Sequence, residues 1–211
     1  MALLIALSVN VGVGGMVESF KKTFIGWLDQ RLVSELYIRT TNSKLSEEIK
    51  EILEGKVDAL LPIVKVSQNI FDTTAEIYGF SPHHTYSDHW PLILKSNNVW
   101  VDLRESKGVL INEQLSRRLN LDISNYVEFE SKRGVLVQLK ILGVYSDYGN
   151  PKGQVMLPLE LFNHYFPNEP ELSFAVRLPE TLIDQTQEIL NNRFSKDEIT
   201  ITNQIEIKNF S

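Results

Sequence analysis

The sequence predicts an α+β fold. Two strand–helix–strand patterns, one early in the chain and one near its end, carry most of that prediction, and the segment between them is rich in short alternating apolar runs. The two end units pack together into one α/β layer in this reading. The middle becomes a β-rich insertion, and an amphipathic helix precedes the whole.

The first unit opens with a strand over Leu36–Thr40. Asn42 and Ser43 suit an N-cap, and Leu45, Ile49, Ile52 and Leu53 fall on one face of the helix that follows, which Gly55 closes. Val57–Val66 and Ile70–Phe80 then read as strands, with Pro62 making the first an edge or bent strand. In the second unit, Leu172–Leu178 is a strand and Pro179 opens a helix. Leu182, Ile183, Thr186, Ile189, Leu190 and Phe194 form its inward stripe, and Glu198–Thr202 is the return strand.

The middle reads mostly as β. Val99–Leu103 is expected as a strand, and Gly108–Ile111 leads into a short helix carrying Leu115 and Leu119. Tyr126–Glu130 alternates with Val127 and Phe129 on one face. A Ser131-Lys132-Arg133-Gly134 turn and a long strand, Val135–Tyr145, follow. The loop from Asp147 to Gly153 is dense in turn formers, and Gln154–Leu157 is one more strand before a helix through Phe162 and Tyr165.

Composition excludes several functions. With 43% hydrophobic and 23% charged residues, the chain has the makings of a folded core. Its 21 Lys and Arg against 27 Asp and Glu leave a net charge of −6, and no basic run stands out, so nucleic acid is not an expected partner. The absence of cysteine removes thiol nucleophiles, Fe–S clusters, Cys-based zinc sites and disulfides.

At the N-terminus no residue from Met1 to Val17 is charged, and Ala2–Leu7 is wholly apolar. A membrane-spanning helix needs ~20 such residues, so the run is either a buried strand with a glycine turn or the outer half of a membrane helix. Val17, Phe20, Phe24, Trp27, Leu28 and Leu32 then recur at helical spacing, as an amphipathic stalk or a surface helix on a globular core would have them. Gly12-Val13-Gly14-Gly15 resembles the start of a dinucleotide-binding fingerprint, but Val17 stands where that motif needs glycine, and the strand–helix alternation of a doubly wound sheet is missing.

No active-site constellation emerges. His83, His84 and His89 with Asp88 fall between Pro82 and Pro91, and solvated loop histidines are the expected outcome rather than a metal site. His164 is expected as a partly buried packing residue. There is no Gly-x-Ser-x-Gly and no P-loop, so neither a hydrolase elbow nor ATP hydrolysis is expected, and no cofactor. Of the aromatics around Tyr145, Phe162, Tyr165 and Phe166, most are expected in the core, whereas Tyr148 in its Gly/Asn/Pro loop is expected at a contact.

The order of these features resembles the extracytoplasmic domain of MacB/FtsX-type ABC-transporter permeases. The stretches that carry the resemblance are Gly14–Phe20 and Trp27–Leu32 at the exit of the first helix, Gly108–Glu113 ahead of the Leu-rich helix, and Gly143–Pro151, similar to the strand end and loop of one branch of the family. The resemblance implies a division into 1–34 (end of a membrane helix and stalk), 35–84 (first half of a porter-like part), 85–167 (a sabre-like β-rich insertion) and 168–211 (second half of the porter-like part, leading to the next membrane helix). It implies a non-enzymatic role, in which motion driven by a separate cytoplasmic ATPase is passed outward for export or extraction of a lipid, lipoprotein or peptide-like substrate. Glu18, Phe20, Phe24 and Trp27 are the implied coupling residues, and Asp147, Tyr148 and Asn150 the implied partner contact. The implied partners are the ABC ATPase, a second permease copy and a periplasmic protein, with the domain on the outer side of the plasma membrane. Two alternatives stand beside this: a membrane-anchored periplasmic sensor or interaction domain without transport, and a nucleotide-binding α/β enzyme resting on the glycine run.

Overall fold

The computed structural model of the chain describes residue 13 and residues 16–19, 32–71, 73–147 and 151–209. Its first unit is β1 (Leu36–Thr40), α1 (Ser43–Leu53) and β2 (Ala59–Ile70). The middle comprises β3 (Thr73–Phe80), α2 (His84–His89), β4 (Leu92–Lys95), α3 (Val99–Arg104), β5 (Val109–Asn112) and α4 (Glu113–Leu119). It continues with β6 (Tyr126–Glu130), β7 (Leu136–Tyr145), β8 (Gly153–Pro158) and α5 (Leu159–Tyr165). The second unit is β9 (Ser173–Arg177), a 3-10 turn at Glu180–Leu182, α6 (Ile183–Arg193) and β10 (Ile199–Asn203), after which comes α7 (Gln204–Asn209).

All ten strands belong to one mixed sheet, in the order β10-β1-β9-β2-β3-β8-β5-β7-β4, with β6 paired to β7 off that path. The order β10-β1-β9-β2 is antiparallel throughout, so the two strand–helix–strand units interleave their strands as in a split βαβ layer. Helices α1 and α6 cover one face of it. Beneath them Leu36, Ile38, Ile49, Phe174, Val176 and Leu190 are fully buried, or nearly so. Local chemistry starts α1 where the sequence placed it, because Asn42 accepts the Leu45 N–H at 3.1 Å. Gly55, at φ +69°, takes the left-handed turn just beyond the helix.

The inserted strands extend the same sheet, and no break separates them from the end units. β3 pairs with β2 on one side and, in parallel, with β8 on the other. β6 curls back against β2, so that β2, β3, β8, β5, β7 and β6 wrap a second core of Ile77, Ile111, Leu115, Phe129, Val155 and Phe162. A third cluster lies on the opposite face, where Tyr86 of α2 and Val99 and Leu103 of α3 pack onto Phe80, Leu110 and Tyr145.

The structure corrects four local expectations. Val99–Leu103 is helix α3, which buries Val99 and Leu103 one turn apart and leaves Val101 45% exposed. Pro62 lies in an interior strand rather than an edge strand. It is accommodated because it pairs only with Phe174 of β9, the ladder to β3 beginning at Ile63. Ile189 faces outward on α6, at 41% exposure, while Ile183, Thr186 and Leu190 point in. His164 is exposed, its ring 4.9 Å from that of Tyr165.

Gly79 of β3 shows how closely α5 rests on the sheet. A Cβ there would lie 2.6 Å from both Phe162 Cγ and Val64 Cγ2. Gly79→Ala is therefore expected to destabilise the fold by ~1–3 kcal/mol through overpacking. In a Phe162→Ala background, which itself costs ~3–5 kcal/mol, only part of that penalty should vanish, because Val64 Cγ2 at 2.6 Å and the remaining Cβ of residue 162 at 2.7 Å still crowd the position. Urea unfolding of the two single variants and the double variant checks this; additive losses would mean that the two residues do not compete for the same space.

Candidate functional site

A densely bonded polar cluster joins the segment that leads into the sheet to the segment that leaves it. Residues 32–35 enter β1, and residues 203–205 connect β10 to α7. The Gln204 N–H donates to the Glu35 carbonyl at 3.0 Å, and the Gln204 side-chain amide donates to the Leu32 carbonyl. Arg177, the last residue of β9, donates from Nη1 to the Val33 carbonyl at 2.7 Å and places Nε 3.2 Å from Glu35 Oε2. The same carboxylate oxygen accepts the Leu178 N–H at 3.1 Å. Strand order explains the convergence: Leu36 pairs with Asn203 on one side and Val176 on the other, so the start of β1 meets the ends of both neighbours. Asn203 extends the cluster by accepting the Ile205 N–H at 2.9 Å and donating to Gln187 at 3.0 Å.

A second polar node sits at the root of the Asp147–Gly153 loop. Asn112 is fully buried, and its amide uses its whole bonding capacity. Oδ1 accepts from Leu115 N at 3.0 Å, capping α4, and from Gln154 N at 2.9 Å. Nδ2 donates to the Lys152 carbonyl at 3.0 Å and faces Asp147 Oδ2 at 3.4 Å. Arg118 holds the Pro151 carbonyl at 3.0 Å, and Lys152 Nζ stands 3.6 Å from Glu76. Both feet of the loop are thus tied to the sheet.

Glu76 is nearly buried. It accepts the Tyr78 hydroxyl at 2.9 Å and also faces Lys65 at 3.5 Å. Burial on its own pushes the Glu76 carboxyl up, but the Tyr78 hydroxyl and the ammonium groups of Lys65 and Lys152 outweigh it and hold the group below its ordinary value.

The histidine segment forms α2 rather than a loop. His83 Nδ1 accepts the Thr85 N–H at 3.3 Å, and His89 Nδ1–H donates to the Thr85 carbonyl at 2.9 Å. Burial, with His84 and Arg177 nearby, pushes the His83 imidazole down. These bonds turn the rings toward their own helix, and among the described residues no three His, Cys, Asp or Glu side chains are grouped to hold a metal ion. Tyr86 and Trp90 tie this helix to the sheet. Their rings lie 4.9 Å apart, and Trp90 also reaches Phe80 at 5.9 Å and Tyr145 at 5.5 Å. The Tyr145 hydroxyl bonds Gln154 at 2.8 Å inside the core, so Tyr145 is a core residue as expected.

Of the coupling residues, Glu18 is exposed on a helical stretch, and Phe20, Phe24 and Trp27 lie outside the described residues. The Gly12, Gly14 and Gly15 positions lie outside them too. Of the loop residues, Asp147 is buried at 3% exposure, at the foot of the loop rather than on its surface; Tyr148 and Asn150 lie outside the described residues. No described helix is long and apolar enough to cross a membrane. Sequence reasoning missed Glu35, Arg177 and Gln204, which carry no local signature and meet only when the end units interleave.

Two outcomes test these nodes. Glu35→Ala removes the acceptor for Arg177 Nε and Leu178 N–H and is expected to cost about 2 kcal/mol. Hydrogen exchange should accelerate at Gln204 and Ile205 well before Val155, and uniform acceleration would refute a local tie. For Glu76, the folded chain binds the proton less readily than the unfolded one. Its stabilisation is complete above the unfolded carboxyl's pKa and is lost as pH falls through the lower folded value. Glu76→Gln should therefore flatten the acid limb of a stability–pH curve from the unfolded carboxyl's pKa downward, and leave the curve near neutral pH unchanged in slope.

The family profile described as the MacB-like periplasmic core domain matches residues 1–193. The periplasmic region of MacB from Actinobacillus actinomycetemcomitans superposes with a TM-score of 0.56 at 14% identity, covering 83% of this chain and 91% of that one. The extracellular domain of the noncanonic ABC-type transporter YknZ from Gram-positive bacteria gives 0.54 at 14% identity, covering 80% of this chain and 99% of that one. No curated protein matches the chain significantly. The two structures share the mixed α+β fold, the profile spans nine-tenths of the sequence, and the chain belongs to the MacB-like periplasmic core domain family.

Proposed function

We propose that the chain is the extracytoplasmic part of an ABC-transporter permease that carries the ATP-driven motion of a separate cytoplasmic ATPase outward, for export or extraction of a lipid, lipoprotein or peptide-like substrate. The observation that carries this reading is the family match over residues 1–193. The physical support is the tie between the ends of the sheet. A displacement arriving at residues 32–35 is passed at once to β9 through Arg177 and to α7 through Gln204, instead of being absorbed by one strand.

In this reading residues 1–34 are the end of a membrane helix and the stalk, 35–84 and 168–211 the two halves of the porter-like part, and 85–167 the sabre-like insertion. Glu18, Phe20, Phe24 and Trp27 act as packing and lever residues rather than ligands. The loop bearing Tyr148 and Asn150, with Asp147 fixing its foot, serves as a contact for a periplasmic partner or a second permease copy. The domain sits outside the plasma membrane, reached through flanking helices. No residue carries out chemistry on a substrate, and no cofactor is needed.

The test uses the full-length permease with its ATPase in vesicles, with spin labels on the outer domains of two copies. ATP is expected to change the label separation, and Phe24→Gly or Trp27→Gly to abolish that change while ATP hydrolysis continues. Unaltered motion in both variants would remove the lever role. Reporter fusions along the parent gene supply the companion check: apolar spans of ~20 residues should flank the domain on both sides.

A further inference from the structure

Among the described residues, the face of the β10-β1-β9-β2 layer turned away from α1 and α6 is covered only in part: Leu61 of β2 and Ala175 of β9 are buried in the third cluster, whereas Arg39 of β1 and Thr200 of β10 are exposed. Strand alternation decides what the uncovered part carries. Leu36, Ile38 and Thr40 point to the helices, so Tyr37 and Arg39 point to the open side. Arg39 is exposed in the middle of the layer, with Thr200 of β10 opposite it on one side and Ser173 of β9 on the other. Tyr37 faces Thr202 in the next pair. Farther along, Lys65 of β2 stands opposite Tyr78 of β3, its ammonium 5.8 Å from the ring. These side chains border an open groove of about 400 Å³.

Charge sets this groove apart from the rest of the molecule. The chain carries a net charge of −6, yet the charged side chains among the described residues lining the groove are Arg39 and Lys65, and none is acidic. Lys65 shares Glu76 with Lys152, and Arg39 has no carboxylate partner among the described residues. An arginine without a counter-ion on a hydroxyl-rich surface is a standing receptor for a carboxylate or a phosphate.

The groove runs on into an apolar pocket. Tyr37, Ile63 and Tyr78 belong to both, and beyond them Phe80, Trp90 and Met156 enclose about 180 Å³. A cavity of ~150 Å³ holds one benzene-sized group. The pocket therefore takes a single aromatic or branched side chain and is far too short for a lipid acyl chain. A ligand with carboxylates and one small apolar anchor, complementary to this basic groove and its pocket, is an acidic peptide.

We propose that this open face is a docking site for an extended acidic segment of a partner protein, with its carboxylates on Arg39 and Lys65 and one apolar side chain in the pocket between Ile63 and Trp90. Docking at Arg39 and Lys65 requires no transport activity, so it stands or falls apart from the transport reading.

The test is selection from a displayed random dodecapeptide library on the full chain. Enriched peptides should place Asp or Glu beside one aromatic or branched residue. Synthetic copies should bind with an affinity that falls as salt rises from about 0.05 to 0.5 M. Arg39→Glu, which lies on an exposed side chain and should leave the melting temperature unchanged, is expected to weaken binding about tenfold or more, and Arg39→Glu/Lys65→Glu to abolish it. On the unaltered chain, the bound peptide should slow hydrogen exchange in β1, β9 and β10. The proposal is overturned by enrichment without acidic residues, by peptides that bind the double variant equally well, or by protection elsewhere. It is also overturned if phosphatidylglycerol vesicles bind through Arg39 and Lys65 while no peptide does.

Discussion

Strand β2 is the constraint on which the rest of the molecule depends. It is paired on both sides and lies between apolar layers, with Leu60, Val64 and Val66 facing one way and Ala59, Leu61 and Ile63 the other. All three hydrophobic clusters draw on it. At ~3.3 Å per residue its 12 residues span roughly 40 Å, long enough to belong to the interleaved end units at one end and to the β-rich strands at the other. A slip of one residue would exchange its two faces and misplace every cluster together. Register along β2 therefore sets the register of β9 and β3, and through β3 that of β8, β5 and β7.

Polar groups have a different task from the apolar layers. The fully bonded amide of Asn112 and the Glu35–Arg177–Gln204 cluster lie where segments distant in sequence meet, and each satisfies backbone groups that the sheet ladder leaves over. Apolar burial drives the layers together without specifying direction, whereas these bonds select one arrangement of the crossing segments. The molecule joins paired sheet to defined polar joints.

Local signals made the end units legible. Asn42 as a cap, the i, i+4 spacing of Leu45, Ile49 and Leu53, and Pro179 ahead of α6 each act within a few residues. The Val99–Leu103 segment was misread because Val, Val and Leu at alternate positions fit a strand as well as they fit a helix. Burial of Val99 and Leu103 against Leu110 and Tyr145, which no local pattern reveals, decides for the helix. The interior setting of Pro62 depends on where two ladders start and stop, and the tie at Glu35 on strand order. Both are properties of the assembled sheet. Of the candidate site, the loop and its turn formers were visible in the sequence; the groove along Arg39 and Lys65 was not, because its residues come from separate strands that alternate with core positions.

The meeting of residues 32–35 with residues 203–205 has a consequence for how such a unit can be inherited. A body whose entrance and exit are hydrogen-bonded to each other, the Gln204 N–H 3.0 Å from the Glu35 carbonyl, occupies almost no gap in whatever chain surrounds it. It can be spliced between two neighbouring helices of a host, enlarged at its far end or exchanged for a distant relative while those helices stay where they were. Diversification can then proceed in the outer half at little cost to the scaffold that holds it.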